Sequence, residues 1–434
     1  MTKNSTLTRV APTEVELDIP ISADELSAAE ERAFRKLARN AKVPGFRPGK
    51  VPRKIFEQQY GDDVIHNRAI EDVVPEAYSR AVREHELAPV DRPKVEVLPA
   101  DSERSMHVKV QVAVRPEIQL LSYKGVELER PAVNISDEEV DRSIQTLARD
   151  RGTLVPVERP AQLGDFVVVD YHGKIDGQSF EGGAAVGQTI ELSEERFVPG
   201  FAAGIVGMRA GDSRELHASF PKDYVREEVA GKDALFDVTL HEVKEMELPA
   251  IDDDFAKAVS THATLDELKL NVRRRLEAIA ESRIHKQLQQ TIMAKLLQAH
   301  DFPLPPVLVE RETESLLSDA HAFAERMGLS WEEYLARTGK SEEQLRAELQ
   351  TDAQRRVKGA LLLAAIAKAE EIRATPADVQ REFVALGEQY GQPPERIRQA
   401  MGNNVGSLME GIVRSKTMEW LIEHATIKTI QSGA

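Results

Sequence analysis

The chain contains no cysteine, so disulfide bonds, thiol nucleophiles and cysteine-ligated metals are all excluded. Its longest uninterrupted apolar run, residues 360–367, is far shorter than the roughly 20 residues that a membrane-spanning helix needs. Residues 1–7 lack the apolar stretch of a secretory signal, which favours a cytoplasmic protein. The eleven histidines show no spacing typical of a metal site, and no glycine-rich phosphate loop is present. We therefore expect no metal, no cofactor, no nucleotide and no membrane partner.

Charge is divided unevenly along the chain. The net charge is −16, yet residues 1–115 hold 19 basic and 19 acidic side chains, so the whole excess of negative charge lies in the remainder. Within the neutral part, residues 32–54 carry nine Lys or Arg and no Asp or Glu. If the partner is a nucleic acid, only the N-terminal part is predicted to face it, because the acidic remainder would repel it.

The most informative segment lies inside this basic run and reads Gly-Phe-Arg-Pro-Gly-Lys-Val-Pro at residues 45–52. Glycines and prolines bound a loop whose tip carries a large aromatic side chain, Phe46, that has no core to join. Folding alone does not explain a rigid, basic, aromatic-tipped loop, whereas a docking surface for an anionic partner does. On charge alone, a solvated helix face stays open as the alternative interpretation of the basic run.

Residues 1–115 are predicted to form an α+β domain. Apolar residues alternate with polar ones over 15–19 and again over 108–114, as they do in half-buried strands. The tetrapeptide Ser-Ala-Asp-Glu at 22–25 is a variant N-cap that predicts a helix. A second helical pattern covers residues 55–87 and has a break at Tyr60-Gly61.

The sequence pattern changes twice in the middle of the chain. A connector, residues 116–160, contains the capping box Ser-Asp-Glu-Glu at 136–139, which opens an amphipathic helix. Between residues 164 and 243, glycine is frequent and β-branched runs dominate, which indicates a compact antiparallel β domain with one short helix near 201–208. The dipeptide Asp-Gly at 176–177 predicts a hairpin turn in this domain.

From Pro249 onward the chain is predicted to be almost wholly helical. Capping boxes begin at Thr264 and Ser330. The helix from Thr264 is expected to run to about His300, which corresponds to about 50 Å at ~1.5 Å per residue. The prolines between 303 and 306 then force a turn.

Five blocks of the β domain resemble the FKBP-type peptidyl-prolyl isomerases, in that family's order. They are Val-Val-Val-Asp-Tyr-His-Gly at 167–173, Asp-Gly-Gln-Ser-Phe-Glu-Gly-Gly at 176–183, Phe-Val-Pro-Gly-Phe-Ala-Ala-Gly at 197–204, Phe-Pro-Lys-Asp-Tyr at 220–224 and Ala-Leu-Phe-Asp-Val at 234–238. The resemblance implies cis–trans isomerisation of X-Pro bonds in a dry aromatic cup, which favours the twisted amide without any nucleophile.

This resemblance also implies the pocket. Carried over position by position, its catalytic residues are Tyr171, Phe180, Glu181, Phe197, Val198, Phe201, Tyr224 and Phe236. Glu181 replaces the Asp of many family members, and Phe201 stands where the floor is often Trp. For each aromatic residue taken singly, the alternative is that it packs in the hydrophobic core and has no catalytic role.

The chain as a whole resembles the trigger factor family of bacterial chaperones, which dock at the ribosomal exit tunnel. The eight residues at 45–52 match that family's signature, and the order of domains agrees. The resemblance implies a ribosome-binding α+β domain at 1–115, a connector at 116–160 that packs with the C-terminal domain, an FKBP-type domain at 161–246 and a helical substrate-binding domain at 247–434. The fold class is therefore multidomain α+β, with an inserted antiparallel β domain and a discontinuous all-α chaperone domain that has helical arms.

The same resemblance implies the partners, namely the large ribosomal subunit beside the tunnel exit (a ribosomal protein and rRNA) and nascent or unfolded polypeptides. The ribosome-binding residues carried over are Arg39, Lys42, Gly45, Phe46, Arg47, Pro48, Gly49, Lys50 and Pro52. Arg53 and Lys54 would add long-range attraction. Candidate client contacts are Met293, Leu297, Phe302, Leu304, Phe323 and Met327, for which helix packing is the alternative. Self-association off the ribosome is left open.

We therefore predict a ribosome-associated chaperone that shields nascent chains and isomerises X-Pro bonds. Two alternatives stay open. One is a free-standing FKBP-type isomerase whose flanking domains recruit folded proteins. The other is an RNA-binding protein that uses the FKBP-like fold only as a scaffold.

Overall fold

The structure, a computed structural model, describes residues 5–47, 49–61, 63–99, 106–222, 224, 226 and 228–430. Contacts between residues divide the described chain into two compact units. Unit 1 comprises the described residues up to Arg130 together with His285–Ile430, and unit 2 comprises Pro131–Ile284. Over the described residues, no helix is both long enough and apolar enough to cross a bilayer.

The N-terminal part of unit 1 is an antiparallel sheet covered by helices. In chain order the elements are β1 (Thr6–Ala11), β2 (Glu14–Ile21), α1 (Ala23–Asn40), α2 (Arg53–Tyr60), α3 (Asp63–Glu84), β3 (Lys94–Pro99) and β4 (Met106–Ala113). The described strands are ordered β1-β2-β4-β3. Leu17 pairs with Val110 across β2 and β4, and both side chains are fully buried in the core. The apolar residues that were predicted to alternate along these strands are thus the buried ones.

Helix α1 begins where the sequence predicts. The Ser22 side chain accepts the Glu25 N–H, and the Glu25 carboxylate accepts the Ser22 N–H, so a complete capping box is present. Ion pairs tie α1 to α3, because Lys36 contacts Asp72 at 2.7 Å and Glu25 contacts Arg80 at 2.8 Å.

Unit 2 combines a small helical cluster with the β domain. Its elements are α4 (Asp137–Asp150), β6 (Thr153–Pro156), β7 (Phe166–Ile175), β8 (Gln178–Glu191), α5 (Phe201–Ile205), β9 (Ser213–Ser219), β10 (Asp233–Glu247), α6 (Asp253–Val259) and the first part of α7 (Leu265–Ala299). Ser136 and Glu139 form the predicted capping box of α4. Val140 and Ile144 of α4 are buried against Phe255 of α6.

The β domain is an antiparallel sheet with strand order β6-β10-β7-β8, in which β9 also pairs with β10. Asp176 and Gly177 are the two residues between β7 and β8, and their φ angles are 49° and 82°. Two positive φ angles are characteristic of the type I′ turn that the Asp-Gly pair predicts.

The remaining elements of unit 1 are mostly helical. They are β5 (Glu127–Pro131), α8 (Pro306–Arg326), α9 (Trp331–Thr338), α10 (Glu342–Ala369), α11 (Pro376–Tyr390), α12 (Pro394–Met401), α13 (Val405–Glu423) and β11 (Thr426–Ile430). Strand β11 pairs with β5 of the connector. The prediction of an almost wholly helical C-terminal part therefore missed this strand, whose short Thr-Ile-Lys-Thr-Ile pattern carries no turn signal.

His300 ties the connector to the end of α7. The residue is 2% exposed, its Nδ1 lies 2.8 Å from the Leu296 carbonyl oxygen, and its Nε2 lies 3.0 Å from the Leu121 backbone nitrogen. One ring nitrogen donates and the other accepts, so a single tautomer satisfies both partners. Nearby, the Tyr123 hydroxyl donates to Glu370 at 2.6 Å.

We predict that His300→Phe destabilises unit 1 by about 1–3 kcal/mol, because Leu121 loses its acceptor and a buried polar contact disappears. Urea unfolding followed by tryptophan fluorescence measures this, since both tryptophans, Trp331 and Trp420, lie in unit 1. The control is His107→Phe, because His107 is about half exposed and should change stability by less than about 0.5 kcal/mol. Equal effects of the two variants would contradict the assigned role of His300.

Candidate functional site

A cavity of about 260 Å³ in the β domain brings all eight predicted pocket residues together. Those residues are Tyr171, Phe180, Glu181, Phe197, Val198, Phe201, Tyr224 and Phe236. Gly182, Arg196, Phe220, Arg226 and Val229 line the cavity as well and were not predicted. Phe220 lay inside a block that resembled the FKBP family, so a signal for it was present in the sequence. No motif in the sequence pointed to Arg196 or Arg226 as lining residues.

The aromatic rings of the cavity belong to separate elements of secondary structure. Tyr171 lies on β7, Phe180 on β8, Phe201 at the first residue of α5 and Phe236 on β10. In the strand register, Phe236 lies opposite Gly173. A Cβ atom on Gly173 would lie only 2.5 Å from Phe236 Cε1 and 3.0 Å from Phe180 Cε1. The absence of a side chain at Gly173 therefore makes room for both rings.

The rings form one connected set with Phe201 at its centre. Ring centroids of Phe201 lie 5.1 Å from Phe236, 5.3 Å from Phe197 and 5.6 Å from Tyr171. The contacts with Phe236 and Tyr171 are edge-to-face, the geometry that aromatic pairs prefer. Phe201 and Phe236 are 3% and 5% exposed, so the floor of the cavity consists of buried aromatic residues.

Charged groups stand only at the rim of this cavity among its described lining residues. The Arg226 guanidinium donates to the Glu181 carbonyl oxygen at 2.6 Å and to its carboxylate at 3.0 Å. Arg196 pairs with Glu191 at 3.1 Å. Such a lining offers an apolar surface for a ring-shaped side chain and polar groups for the backbone around it.

The second candidate site is the loop between α1 and α2. Ala41, Val43 and Val51 are buried in the core of the α+β domain at the two ends of the loop. The residues between them that the structure describes are exposed, and Phe46 is 40% exposed. Pro48, one of the predicted docking residues, lies outside the described residues.

Backbone hydrogen bonds hold this loop in shape. The Gly49 N–H donates to the Ala38 carbonyl at 2.7 Å, and the Lys50 N–H donates to the Arg47 carbonyl at 3.0 Å. The Tyr60 hydroxyl lies 3.2 Å from both the backbone nitrogen and the backbone oxygen of Lys42. Gly45 and Gly49 have φ angles of 84° and 81°, which other residues adopt only with strain.

The nine cations of the basic run divide into two groups. Arg32, Arg35, Lys36 and Arg53 each pair with a carboxylate of α1, α2 or α3. In contrast, Arg39, Lys42, Arg47, Lys50 and Lys54 make no ion pair within the described residues. The exposed positive charge is therefore concentrated around the loop, and four of its five members are predicted docking residues.

Arg53 was expected to add to the exposed positive charge around the loop, but it is paired with two carboxylates. Its guanidinium lies 2.8 Å from Glu30 and 2.6 Å from Glu57. Burial by itself would raise the pKa of Glu30, but the hydrogen bonds from Arg53 and His66 outweigh it and leave that pKa below its ordinary value. Both partners stay ionised, so Arg53 is a structural cation that fixes the start of α2.

The six candidate client residues separate by exposure. Met293, Leu297, Phe302 and Leu304 are half-buried, and Phe302 and Leu304 pack on the cluster that contains Val309. Phe323 and Met327, at the end of α8, are 46% and 58% exposed. Exposed apolar groups of this kind are available to a client, whereas the first four already have neighbours.

Three family profiles match the chain in order. The profile described as "Bacterial trigger factor protein (TF)" matches residues 3–147, "FKBP-type peptidyl-prolyl cis-trans isomerase" matches 157–241 and "Bacterial trigger factor protein (TF) C-terminus" matches 264–423. Together with the aromatic cavity, they define a multidomain protein with an FKBP-type domain between an N-terminal α+β domain and a helical C-terminal region.

Curated relatives are similar over nearly the full length. The trigger factor of Pelotomaculum thermopropionicum is 37% identical over 98% of both chains. That of Geobacillus kaustophilus is 35% identical over 95% of this chain and 96% of its own. A solved structure described as "Promiscuous Substrate Recognition in Folding and Assembly Activities of the Trigger Factor Chaperone" shares the fold, with a TM-score of 0.50, 22% identity and coverage of 96% and 99%.

The chain therefore belongs to the trigger factor family, and it is a chaperone with an FKBP-type domain. The predicted family, the chaperone function and the multidomain fold class are confirmed, whereas the isomerase activity and the ribosomal site stay predictions. The residue-by-residue assignments and the limits of the four segments stay predictions.

We predict that Gly173→Ala weakens the β domain by about 1–3 kcal/mol, because the new methyl group displaces the Phe236 and Phe180 rings. Hydrogen-exchange protection of the β7 and β10 amides measures the loss locally. The control is Gly406→Ala in α13, where a Cβ atom meets nothing within 4 Å and should leave stability unchanged or slightly improved. Unchanged protection in Gly173→Ala would show that the rings tolerate displacement.

Proposed function

We propose that this chaperone binds the large ribosomal subunit beside the tunnel exit through the loop at residues 45–52. Membership of the trigger factor family implies ribosome and nascent-chain binding. The single observation that supports the loop as the contact is its charge. Arg39, Lys42, Arg47 and Lys50 lack ion-pair partners among the described residues, in a chain of net charge −16. They are free to meet carboxylates or RNA phosphates.

Phe46 supplies the apolar part of the proposed contact. This residue is 40% exposed on a loop that buried residues and backbone hydrogen bonds hold in place. An aromatic anchor that is already positioned loses little conformational freedom on binding, which is typical of energetically dominant interface residues. Gly45, Gly49 and Pro52 shape the loop in this proposal, as does Pro48.

The FKBP-type domain is proposed to catalyse X-Pro isomerisation in its aromatic cavity. Twisting the amide breaks its conjugation and reduces its polarity, so a dry wall favours the twisted state over the planar one. Phe201, Phe236 and Tyr171 supply that wall, with Phe180, Phe197 and Val198 around it. Glu181 and Tyr224 stand at the rim.

Nascent and unfolded polypeptides are the proposed clients, and the protein is proposed to act in the cytoplasm. We also propose the four-part division at residues 1–115, 116–160, 161–246 and 247–434, with client contacts in the last part. The exposed Phe323 and Met327 are the strongest of its candidates, because flexible and aromatic apolar groups can repack around unrelated chains.

We predict that Phe46→Ala combined with Arg47→Ala abolishes co-sedimentation with large ribosomal subunits at moderate salt. The change removes the aromatic anchor and one unpaired cation while leaving the buried ends of the loop intact. The control is Val64→Ala with Arg35→Ala, which removes one exposed apolar group and one paired cation from the same domain. If the loop variant sediments as well as the control, the docking assignment is wrong.

We predict that Phe197→Ala and Phe201→Leu each lower kcat/KM for isomerisation of a short X-Pro peptide by at least roughly tenfold, since every 1.4 kcal/mol of barrier is tenfold in rate. Suppression of aggregation of a proline-free client should persist. Phe302→Ala, a half-buried phenylalanine outside the β domain, is the control. Wild-type isomerisation in both pocket variants would exclude the cavity as the catalytic site.

A further inference from the structure

The connection between β9 and β10, residues 220–232, forms part of the wall of the aromatic cavity. Its described residues that line the cavity are Phe220, Tyr224, Arg226 and Val229. At the two ends of the connection, the Phe220 N–H donates to the Lys232 carbonyl at 2.9 Å. This bond closes the connection on itself, but it does not join the connection to β8, the strand that lines another part of the same cavity.

Side chains join the connection to β8. In the buried part of the wall, the Phe220 ring lies 5.8 Å from the Phe180 ring in an edge-to-face arrangement. At the rim, one nitrogen of the Arg226 guanidinium donates to the Glu181 carbonyl oxygen at 2.6 Å, and the other terminal nitrogen donates to the Glu181 carboxylate at 3.0 Å. Because a guanidinium presents its donors in a fixed planar fork, two bonds to one residue also set its orientation.

The bond to the backbone carbonyl is the firmer of the two attachments at the rim. The Glu181 side chain is 90% exposed, and an ion pair with so exposed a carboxylate contributes little by itself. The carbonyl, in contrast, belongs to the strand. Gly182 allows the close approach, because a Cβ atom there would lie only 3.2 Å from Nη1 of Arg226. Arg226 is therefore attached to the backbone of β8 as well as to a mobile side chain.

We propose that Arg226 is a positioning residue for the isomerisation, an inference that rests on the proposed function of the cavity. By fastening the connection to β8, Arg226 holds Tyr224 at the rim before a substrate arrives. A site that already has its shape loses less conformational freedom when it binds. The floor around Phe201, where the amide is proposed to twist, is held by contacts among the aromatic rings. Loss of Arg226 therefore weakens substrate binding and leaves the twisting step nearly unchanged.

The rival role for Arg226 is a direct contact with the substrate, in which the guanidinium pairs with an acidic side chain beside the X-Pro bond. Its two bonds to Glu181 favour positioning, because these donors are already in use. Glu181→Gln separates the two roles. If Arg226 acts by positioning, loss of the carboxylate weakens binding of any substrate. If Arg226 contacts the substrate, the same change frees the guanidinium and strengthens binding of an acidic one.

The test measures kcat and KM of the full-length protein for isomerisation of a short, uncharged peptide with one Leu-Pro bond. Arg226→Met removes the donors and keeps an unbranched side chain, whereas Arg226→Lys keeps the charge. The matched control is Lys174→Met. Lys174 pairs with Asp237 at 2.9 Å in the same sheet, and neither residue lines the cavity.

Arg226→Met should raise KM roughly two- to fivefold, as expected for one exposed charge-assisted contact, and should leave kcat within about twofold. Arg226→Lys should recover most of the lost affinity, and Lys174→Met should match the wild-type protein. High salt should raise KM of the wild-type protein more than that of Arg226→Met, because it screens the pair. Hydrogen exchange of the Tyr224 amide, which donates to the Pro221 carbonyl at 3.2 Å, should become faster in Arg226→Met alone.

An unchanged KM in Arg226→Met, or a fall in kcat at constant KM, would overturn the inference. So would the same rise of KM in Lys174→Met. The direct contact is assigned instead if Glu181→Gln lowers KM for a peptide with Asp beside the Leu-Pro bond and leaves KM for the uncharged peptide unchanged.

Failure of this inference and failure of the proposed isomerisation are distinguishable. Phe201→Leu is assayed on the same peptide and tests the cavity itself. If the wild-type protein isomerises the peptide and Phe201→Leu does not, while Arg226→Met behaves as wild type, only the positioning role falls. If the wild-type protein does not isomerise the peptide, both proposals fall.

Discussion

Charge pairing is the constraint on which the proposed docking depends. The chain has a net charge of −16 and therefore ample carboxylates to neutralise its cations. Within the basic run, Lys36 and Arg53 are held by neighbouring helices at 2.7 and 2.8 Å, whereas Arg47 and Lys50 have no such partner among the described residues. The paired cations stabilise the packing of α1, α2 and α3, and the unpaired ones keep their charge available. Proximity to carboxylates in the fold, rather than composition, separates the two groups.

In both the FKBP-type domain and the loop, packing elsewhere in the structure holds an apolar group in position. A binding group must stay accessible, so other parts of the structure have to hold it in position. Phe46 is exposed, and buried Val43 and Val51 anchor the two ends of its loop. In the β domain, Phe201 is buried by its neighbours, and the cavity opens over it. Each site thus depends on packing that local sequence only partly specifies.

Local chemistry made much of the fold predictable. The capping boxes at Ser22 and Ser136 and the Asp-Gly turn at 176–177 depend on a few adjacent residues, so sequence identifies them directly. The eight residues that line the cavity could be predicted because their motifs resemble a known family. Strand β11, the His300 contact and the pairing of Arg226 with Glu181 join residues far apart in the chain, and no local pattern encodes them. The ion pair of Arg53 could not be predicted for the same reason, because its partner Glu30 lies on another helix.

The salt dependence of binding to purified large ribosomal subunits tests the central claim most directly. Each cation that meets RNA phosphate contributes roughly 0.7–0.9 to the slope of log affinity against log salt concentration. Replacing Lys42 or Lys50 by Gln should lower the slope by about that amount, because these side chains are unpaired and exposed. Replacing Arg32 or Lys36 by Gln should leave the slope unchanged, since both are already paired. The same loss of slope in all four variants, or no dependence on salt at all, would contradict the account.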